Sequence, residues 1–307
     1  MNMKRVLVLL SAYNGEQFIK EQLDSLLTQV NVNVHILIRD DGSSDNTCEI
    51  INQYTNIIGN ITLIKGKNIG CCSSFYELAK FAYDKFTQYD YYAFCDQDDV
   101  WMKGKLERAC TKLDKFSSSS SLLMYASAYQ MVDCNLNDIP TIMIPSNNSF
   151  GESLIIQTTI GCTMVFNYKT LLLFLKGNPN KMLMHDSWIY KMILGCGGTY
   201  VYDPRPSILY RQHTNNVKGA DHNFYERWRQ RWDNFIHNRR SRSVQAKYLL
   251  ETYKDDLTEE NRELLSDFVA MKDSMAKRLK VFMSSKYRTV KWTNNILFRI
   301  AVLFNKV

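Results

Sequence analysis

The sequence predicts an α/β fold with a mostly parallel mixed sheet, helices on both of its faces, and a C-terminal helical extension. Three observations support this prediction. Short apolar segments alternate with amphipathic segments over residues 6–95, an order that produces parallel sheets covered by helices. Each apolar segment ends in a turn rich in polar residues, glycine or acidic residues. Beyond residue 224 the chain becomes basic and helical in composition.

The first part of the chain predicts alternating strands and helices. A strand that is buried on both faces has a continuous apolar sequence, and a helix against a sheet has apolar residues three and four positions apart. The strands so predicted are residues 6–10, 34–38, 61–64 and 91–95, and the helices are residues 17–29, 46–54, 73–86 and 100–116. Asp99 stands directly before the last helix, where an aspartate commonly acts as N-cap.

The rest of the chain divides at a change in charge. Short apolar segments at residues 122–125, 161–166, 199–201 and 208–210 predict further strands, some of them antiparallel. Residues 1–224 carry 20 Lys and Arg against 21 Asp and Glu, whereas residues 225–307 carry 18 against 10. We therefore predict an α/β domain over residues 1–224 and a basic helical extension over residues 225–307.

Composition excludes several classes of protein. With 45% apolar and 22% charged residues, the chain is neither disordered nor collagen-like. No apolar segment reaches the ~18–20 residues that span a bilayer, and the N-terminus lacks the cleavage site of a signal peptide. The eight cysteines include no C-x-x-C pair, so no zinc or redox motif is indicated. These features predict a cytoplasmic protein with free thiols.

Two groups of acidic residues follow predicted strands. The segment 96–99 (DQDD) comes after the fourth strand, and Asp40-Asp41 comes after the second. Carboxylate oxygens are ligands that Mg²⁺ and Mn²⁺ prefer, and open parallel sheets bind ligands at the carboxyl ends of their strands. The residues leave two alternatives open, a solvated acidic turn or helix cap at the first group and an Asx turn at the second.

Three further residues are candidates for chemistry. Asp186 precedes an apolar helical segment, where the pKa of a carboxyl group can be tuned for general-base catalysis. Arg211 can pair with a phosphate group, and His213 can bind a metal ion. The alternatives are a helix cap at Asp186 and a polar loop with a hydrogen-bonded histidine at His213.

Six segments together resemble the ordered motifs of the family 2 nucleotide-sugar glycosyltransferases, which have the Rossmann-like GT-A fold. They are LSAYNGEQFIKEQLDSLLTQ, IRDDGSSDNT, KNIG, FCDQDDVW, MHDSW and YRQHTNNVKGA, and they cover about residues 4–220. The last three are similar to those of bacterial rhamnosyltransferases that build cell-wall rhamnan or O-antigen chains. One such motif is weak evidence, whereas six in order at strand ends are specific.

The resemblance implies a role for each matching residue. Asp186 corresponds to the catalytic base, and Asp96 and Asp98 correspond to a D-x-D pair that binds a divalent cation, Mg²⁺ or Mn²⁺. His213 resembles a histidine that completes the metal site, and Asp41 resembles the aspartate that recognises the nucleotide base. The full set implied in binding the nucleotide sugar is Ser11, Ala12, Tyr13, Asp41, Asn68, Gly70, Asp96, Gln97 and Arg211.

The function implied is an inverting, metal-dependent glycosyltransferase. A cation would neutralise the diphosphate leaving group, and one base suffices for a single displacement. The predicted donor is dTDP-L-rhamnose, and the predicted acceptor is a hydroxyl group of a growing bacterial surface glycan, free or lipid-linked. The alternatives are transfer from a UDP-hexose or UDP-N-acetylhexosamine and, more distantly, a non-catalytic binding protein. The chain has no P-loop and no G-x-G-x-x-G motif, which argues against an NTPase and a dehydrogenase.

The basic C-terminal end indicates a partner of its own. After Asp273 the chain has eight Lys and Arg and no acidic residue, interspersed with Leu, Phe, Val, Trp and Ile. This composition is typical of a helix at an anionic membrane surface, and it predicts peripheral attachment to the inner face of the cytoplasmic membrane. The alternative is a homo-oligomer that buries these helices. Binding of these basic helices to nucleic acid is a less favoured alternative, and we predict no nucleic-acid partner.

Overall fold

The computed structural model of the chain describes residues 3–116, 121–141, 143, 145–213 and 242–307. Contacts between Cα atoms define two compact units. The first comprises Met1–Ile142, Thr159–Ile189 and Gly198–Gln212, and the second comprises Met143–Thr158, Tyr190–Gly197 and His213–Val307. The predicted domain boundary between residues 224 and 225 lies outside the described residues and stays a prediction.

The strands of the first unit form two sheets. They are β1 (Lys4–Ala12), β2 (Val32–Asp40), β3 (Ile61–Lys65), β4 (Tyr91–Cys95), β5 (Val100–Trp101), β6 (Leu123–Ser127), β7 (Gln130–Val132), β8 (Val165–Asn167), β9 (Thr199–Asp203) and β10 (Ile208–Arg211). The large sheet has the order β3-β2-β1-β4-β8-β6-β9, and the small one has the order β5-β10-β7. Strands β1 to β4 pair in parallel, whereas β8 is antiparallel to β4 and β6. The predicted mostly parallel mixed sheet is confirmed.

Helices cover both faces of the large sheet. The helices of the described residues are α1 (Ile19–Leu27), α2 (Thr47–Ile57), α3 (Cys71–Lys85), α4 (Lys105–Asp114), α5 (Phe150–Ser153), α6 (Tyr168–Phe174), α7 (His185–Gly195), α8 (Arg242–Tyr253), α9 (Glu259–Ala270), α10 (Met275–Met283) and α11 (Trp292–Leu303). Val6 and Val8 of β1 share a core cluster with residues of α1, α2 and α4. The ring of Phe94 lies 5.2 Å from that of Phe75 in α3 and 5.9 Å from that of Phe174 in α6. Because side chains alternate along a strand, α3 and α6 cover the opposite face.

The segment after the acidic turn differs from the prediction. The helix expected from residue 100 begins at Lys105, and Gly104 precedes it in a left-handed conformation with φ of 87°. Val100 and Trp101 instead form β5, which pairs with β10 in an antiparallel ladder. Partners distant in the sequence therefore overrode the local helical pattern. Asp99 does not cap a helix, and its carboxyl group is available for another role.

A second difference concerns the strand predicted at residues 161–166. A 3₁₀ turn occupies Gly161–Thr163, and β8 starts only at Val165. The backbone therefore turns at Gly161 and Cys162 instead of continuing the sheet. This turn carries atoms of the candidate active site described below.

The second unit is helical and has an aromatic core. The ring of Phe268 in α9 stacks on that of Phe298 in α11, with centroids 6.1 Å apart, and Tyr287 contacts both rings. The Tyr287 hydroxyl donates a 2.7 Å hydrogen bond to the carbonyl of Leu264. Burial of these rings ties α11 to the unit through one of its faces. The helical extension predicted for the C-terminal end is confirmed for residues 242–307.

No helix in the described ranges has both the length and the apolar character required to cross a bilayer. The eight cysteines are free, and three of them, Cys95, Cys110 and Cys162, are buried. The free thiols agree with the absence of paired cysteine motifs in the sequence.

Candidate active site

The polar turns of the first unit lie together because β1, β2 and β4 are parallel neighbours. Ala12 pairs with Asp40, and Leu10 pairs with Cys95, so the three strands end at the same edge. The Gln97 side chain joins two of the turns. Its Oε1 accepts a 2.8 Å hydrogen bond from the N–H of Tyr13, and its Nε2 donates a 2.9 Å bond to the Tyr13 carbonyl. Gln97 therefore positions the first loop against the acidic turn.

The two acidic residues at the end of β2, Asp40 and Asp41, have different surroundings. Asp40 accepts hydrogen bonds from the N–H groups of Gly42 and Ser43 at 3.1 and 3.0 Å, which is the Asx turn that the sequence left open. Asp41 is buried, and its carboxylate pairs with the Arg39 guanidinium. It also accepts 3.0 Å bonds from the backbone N–H groups of Ile69 and Gly70.

These contacts bring together four of the residues predicted to bind a nucleotide sugar. Asp41 meets the loop that contains Asn68 and Gly70, and Gly70 adopts a φ of +83° that favours glycine. Ser11 at the end of β1 shares a 2.6 Å hydrogen bond with Ser74 of α3. The structure thus assembles one polar edge from these turns, while the contacts of each residue with a nucleotide stay predictions.

Three carboxyl groups crowd the turn after β4. Asp96 and Asp98 are half-buried, and Asp99 is fully buried. Burial raises the pKa of Asp96, and the negative charges of Asp98 and Asp186 raise it further. Burial also holds the pKa of Asp99 well above its usual range, with added repulsion from Asp98 and Asp96. A cation near this turn would relieve the repulsion between these groups.

The donor atoms at this turn fit a hard divalent cation. Ligand atoms of Asp96, Asp99 and Cys162 lie within 4.8 Å of one another. Burial holds the pKa of the Cys162 thiol well above its usual range, so the sulfur stays protonated and the oxygens are the ligands suited to Mg²⁺ or Mn²⁺. Of the predicted ligands, Asp96 belongs to this group, and the negative charge of Asp98 acts on both Asp96 and Asp99. His213 is half-buried, and its role as a ligand stays a prediction.

A buried lysine supplies positive charge behind the carboxyl groups. Lys105 is 1% exposed, and its Nζ lies 3.1 Å from the ring centroid of Trp101 and donates to the carbonyl of Cys162. Burial lowers the pKa of Lys105 to about 8, while negative charge on Asp99 and Asp96 opposes this effect. At neutral pH the ammonium group therefore balances part of the charge of the acidic turn.

Arg211 holds the backbone of the same turn. Its Nε donates a 2.8 Å hydrogen bond to the Asp98 carbonyl, and its own N–H donates a 3.1 Å bond to the Asp99 carboxylate. The guanidinium also pairs with Glu21 and donates to the Cys134 carbonyl. Because Arg211 is buried with its donors directed at protein acceptors, the structure gives it a positioning role, and the predicted phosphate contact stays a prediction.

Asp186 enters the site from a different element. It lies in the first turn of α7, which begins at His185, and is 5% exposed. Its Oδ1 accepts a 2.6 Å hydrogen bond from the N–H of Ser187. A Cβ atom on Gly161 would lie 2.7 Å from Nε2 of His185 and 3.3 Å from the Asp186 Cβ. The His185 ring stacks on Phe75 at 3.9 Å, so this histidine belongs to the aromatic core.

The turn at residues 161–163 connects the two halves of the site. Gly161 allows the start of α7 to approach closely, and the adjacent Cys162 contributes its carbonyl to Lys105. The sulfur of Cys162 lies within 4.8 Å of ligand atoms of Asp96 and Asp99, and the negative charge of Asp186 is among the causes that raise the pKa of Asp96. An acidic turn, a separate carboxylate and a buried lysine are therefore assembled at the sheet edge.

Comparison with known proteins identifies the family. Residues 7–170 match Glycosyl transferase family 2. A relative in Shigella flexneri, the dTDP-rhamnosyl transferase RfbG, is 33% identical over 234 residues, which are 72% of this chain and 77% of the relative. This chain belongs to glycosyl transferase family 2.

Other relatives and neighbours of this family 2 enzyme differ in the donors that they are named for. The Escherichia coli UDP-Glc:alpha-D-GlcNAc-diphosphoundecaprenol beta-1,3-glucosyltransferase WfgD is 28% identical over 168 residues, 54% of this chain and 61% of the relative. The fold matches S. aureus TarS 1–349 in complex with UDP-GlcNAc, with a TM-score of 0.54, 16% identity and coverage of 97% of this chain and 90% of that chain.

A third structural neighbour carries a metal ion. The mannosyltransferase PcManGT from Pyrobaculum calidifontis, in complex with GDP-Man and Mn²⁺, has a TM-score of 0.52 and 13% identity, and covers 100% of this chain and 88% of that chain. These likenesses confirm the GT-A-like fold that the sequence motifs imply.

Several residues of the site do not follow from the local sequence pattern. The pattern predicts a helix cap at Asp99 and a strand through Gly161 and Cys162, whereas the structure brings all three to the site. Lys105, which carries no motif, falls on the buried stripe of α4. A lysine in that stripe is the signal that could have identified it, because buried lysines are rare unless they are paired.

Replacing Lys105 by methionine removes the buried cation and keeps an apolar side chain of similar length. We expect the free energy of unfolding to fall by about 1.5–3 kcal/mol, because the buried Cys162 carbonyl loses its charged hydrogen-bond donor and the nearby carboxyl groups lose a compensating charge. Denaturant unfolding would measure the loss. Lys103→Met changes an exposed neighbour and should alter stability by less than about 0.5 kcal/mol. A Lys105→Met protein as stable as the parent would contradict the role in charge balance.

Proposed function

We propose that this family 2 glycosyltransferase transfers L-rhamnose from dTDP-rhamnose to a hydroxyl group of a growing bacterial surface polysaccharide, with inversion at the anomeric carbon. The observation that carries the proposal is the position of Asp186, a carboxylate on a separate helix that lies close to Gly161, next to Cys162, whose sulfur is within 4.8 Å of ligand atoms of Asp96 and Asp99. The choice of rhamnose is supported by the 33% identity to a dTDP-rhamnosyl transferase.

In this proposal Asp186 is the general base. It accepts the proton of the acceptor hydroxyl while the hydroxyl oxygen forms a bond to the anomeric carbon. The bond between that carbon and the diphosphate oxygen breaks, and its electron pair leaves with the diphosphate. A single displacement of this kind inverts the configuration and requires one carboxylate on the acceptor side. The absence of a side chain at Gly161 lets the start of α7, which carries Asp186, lie close to the turn at residues 161–163.

Asp96 and Asp98 are the predicted ligands that would hold a divalent cation, with His213 as the third, and Asp99 offers a further carboxylate oxygen beside Asp96. When bound, Mg²⁺ or Mn²⁺ neutralises negative charge on the departing diphosphate. Arg211 holds the acidic turn through the Asp98 carbonyl, and Lys105 holds the neighbouring turn at residues 161–163 through the Cys162 carbonyl. The Mn²⁺ in the mannosyltransferase neighbour supports the same choice of cofactor.

A UDP-sugar is the second candidate donor. WfgD is named for UDP-Glc, and the TarS structure contains UDP-GlcNAc. The polar edge of the first unit offers Asp41 and the loop 68–70 to either nucleotide base. A non-catalytic binding role is disfavoured, because Asp96, Asp98 and Asp186 are all present.

We place the reaction in the cytoplasm, at the inner face of the cytoplasmic membrane. The basic C-terminal end supports this location, since eight Lys and Arg follow Asp273 without an acidic residue. A lipid-linked glycan acceptor would be anchored at the same surface. WfgD is named for a diphosphoundecaprenol acceptor, which supports an acceptor of this class.

Asp186→Asn removes the proton acceptor and keeps the shape of the side chain. We expect kcat to fall by about 10²–10⁴-fold, while the affinity for the donor stays within about twofold, because the base contacts the acceptor and not the nucleotide. Initial transfer rates and calorimetric titration with dTDP-rhamnose would separate the two quantities. Asp84→Asn, an exposed change in α3, is the matched control. Normal turnover in Asp186→Asn would refute the assignment.

Asp98→Ala tests the cation site. We expect the enhancement of donor affinity by Mn²⁺ to fall by at least about tenfold. Loss of a residue that hydrogen-bonds a metal ligand already weakens metal binding by about tenfold or more, and loss of the ligand itself should weaken it at least as much. Titration of the donor with and without Mn²⁺ measures this difference directly. Asp255→Ala removes an exposed carboxylate elsewhere and should leave the enhancement intact. An unchanged response in Asp98→Ala would exclude this residue as a ligand.

The identity of the donor can be tested by thermal unfolding with a panel of dTDP- and UDP-sugars in the presence of Mn²⁺. A ligand at one hundred times its Kd stabilises the folded state by about 2.7 kcal/mol, so the true donor raises Tm more than its competitors at equal concentration. We expect dTDP-rhamnose to give the largest shift. A larger shift with a UDP-hexose would replace rhamnose by the second candidate.

A further inference from the structure

Helix α11 has apolar side chains on both of its faces. Phe298, Ala301 and Val302 are buried and belong to the core of the second unit. The remaining apolar residues of this helix and its C-cap are exposed, and they are Trp292, Ile296, Leu297, Ile300, Leu303 and Phe304. Because positions three and four apart lie on one side of a helix, these residues form a continuous stripe, which we call the outer face of α11.

The outer face is presented by a helix that is held firmly in place. The Phe298 ring stacks on Phe268, and the C-terminal Val307 accepts a 2.8 Å hydrogen bond at its carbonyl from the Ser243 hydroxyl. Trp292 is 70% exposed and Phe304 is 68% exposed, at opposite ends of the face. Large apolar side chains grouped in this way on a fixed helix indicate a binding surface.

The charged residues within α11 and just before it are all basic. Arg288 and Lys291 are exposed just before α11, and no acidic residue follows Asp273. Three other lysines of this end are already paired at the surface, Lys277 with Asp273, Lys280 with Asp267 and Lys286 with Glu260. Exposed pairs of this kind contribute little and exchange readily. A partner that matches an apolar stripe flanked by basic residues has a negatively charged surface above an apolar interior.

We propose that the outer face of α11 inserts into the interfacial region of an anionic phospholipid bilayer, with the helix parallel to the membrane plane. The apolar stripe enters the boundary between headgroups and acyl chains, and Trp292 lies at the level of the headgroups. Arg288 and Lys291 contact anionic headgroups. This inference rests on the proposed location of the enzyme and names the surface responsible for it.

The apolar part of the surface is tested by flotation of the full chain with vesicles. Vesicles of phosphatidylcholine and phosphatidylglycerol in equal parts are compared with vesicles of phosphatidylcholine alone. We expect binding to the first and little to the second. The double change Ile296→Asp and Ile300→Asp should weaken binding by more than about thirtyfold, because it removes apolar contact and adds repulsion. Ile57→Asp is the matched control, since Ile57 is an exposed isoleucine outside the second unit.

The basic part is tested by the double change Arg288→Gln and Lys291→Gln. Since each basic residue near an anionic membrane strengthens binding by about fivefold, we expect the loss of two to lower the affinity for the anionic vesicles by about thirtyfold. Lys80→Gln with Lys85→Gln, two exposed positions of α3, should change it much less. Circular dichroism of each variant confirms that it is folded before the vesicles are added.

Three results would overturn the proposal. The first is that the parent protein fails to float with anionic vesicles at low salt. The second is that the variant with aspartate at positions 296 and 300 binds the vesicles as well as the parent does. The third is that the parent binds no vesicles but forms a dimer that this variant loses, in which case the outer face joins two copies of this chain. None of these results depends on a nucleotide sugar. Failure of vesicle binding is therefore distinguishable from failure of the proposed transfer, which Asp186→Asn tests on its own.

Discussion

The site depends on how the chain tolerates three carboxyl groups within four residues. Asp96, Asp98 and Asp99 repel one another, and burial raises the pKa of both Asp96 and Asp99. Two basic side chains offset part of this repulsion. Lys105 brings a buried ammonium group to the carbonyl of Cys162, and Arg211 donates hydrogen bonds to the backbone and side chain of the turn. The charge that remains is what a divalent ion would neutralise.

Glycine at position 161 makes the second half of the site possible. The start of α7 approaches this backbone so closely that a Cβ atom would meet the His185 ring and Asp186. His185 is held among aromatic rings of the core, which fixes the helix that carries Asp186. The catalytic base proposed here is thus positioned by packing behind it, and its carboxylate shares an electrostatic environment with the acidic turn.

The second unit follows a different physical logic. Its core is a small group of aromatic rings, and one face of α11 supplies Phe298 to that core. The other face remains apolar and exposed, with basic residues beside it. In the proposed function the acceptor is built on a membrane lipid, and binding of the outer face to the bilayer would confine the enzyme to the plane in which that acceptor is found.

Local patterns in the sequence determined the four strand–helix alternations and the positions of the acidic turns, because continuous apolar segments and helical spacing are encoded by neighbouring residues. They also sufficed for the family, since six motifs follow one another at strand ends. Tertiary structure alone decided that Val100-Trp101 forms a strand, that Asp99 joins the acidic group, and that Lys105 and Gly161 belong to the site. Each of these depends on a partner distant in the chain, and the free energy of burying charge or excluding a Cβ atom exists only once that partner is in place.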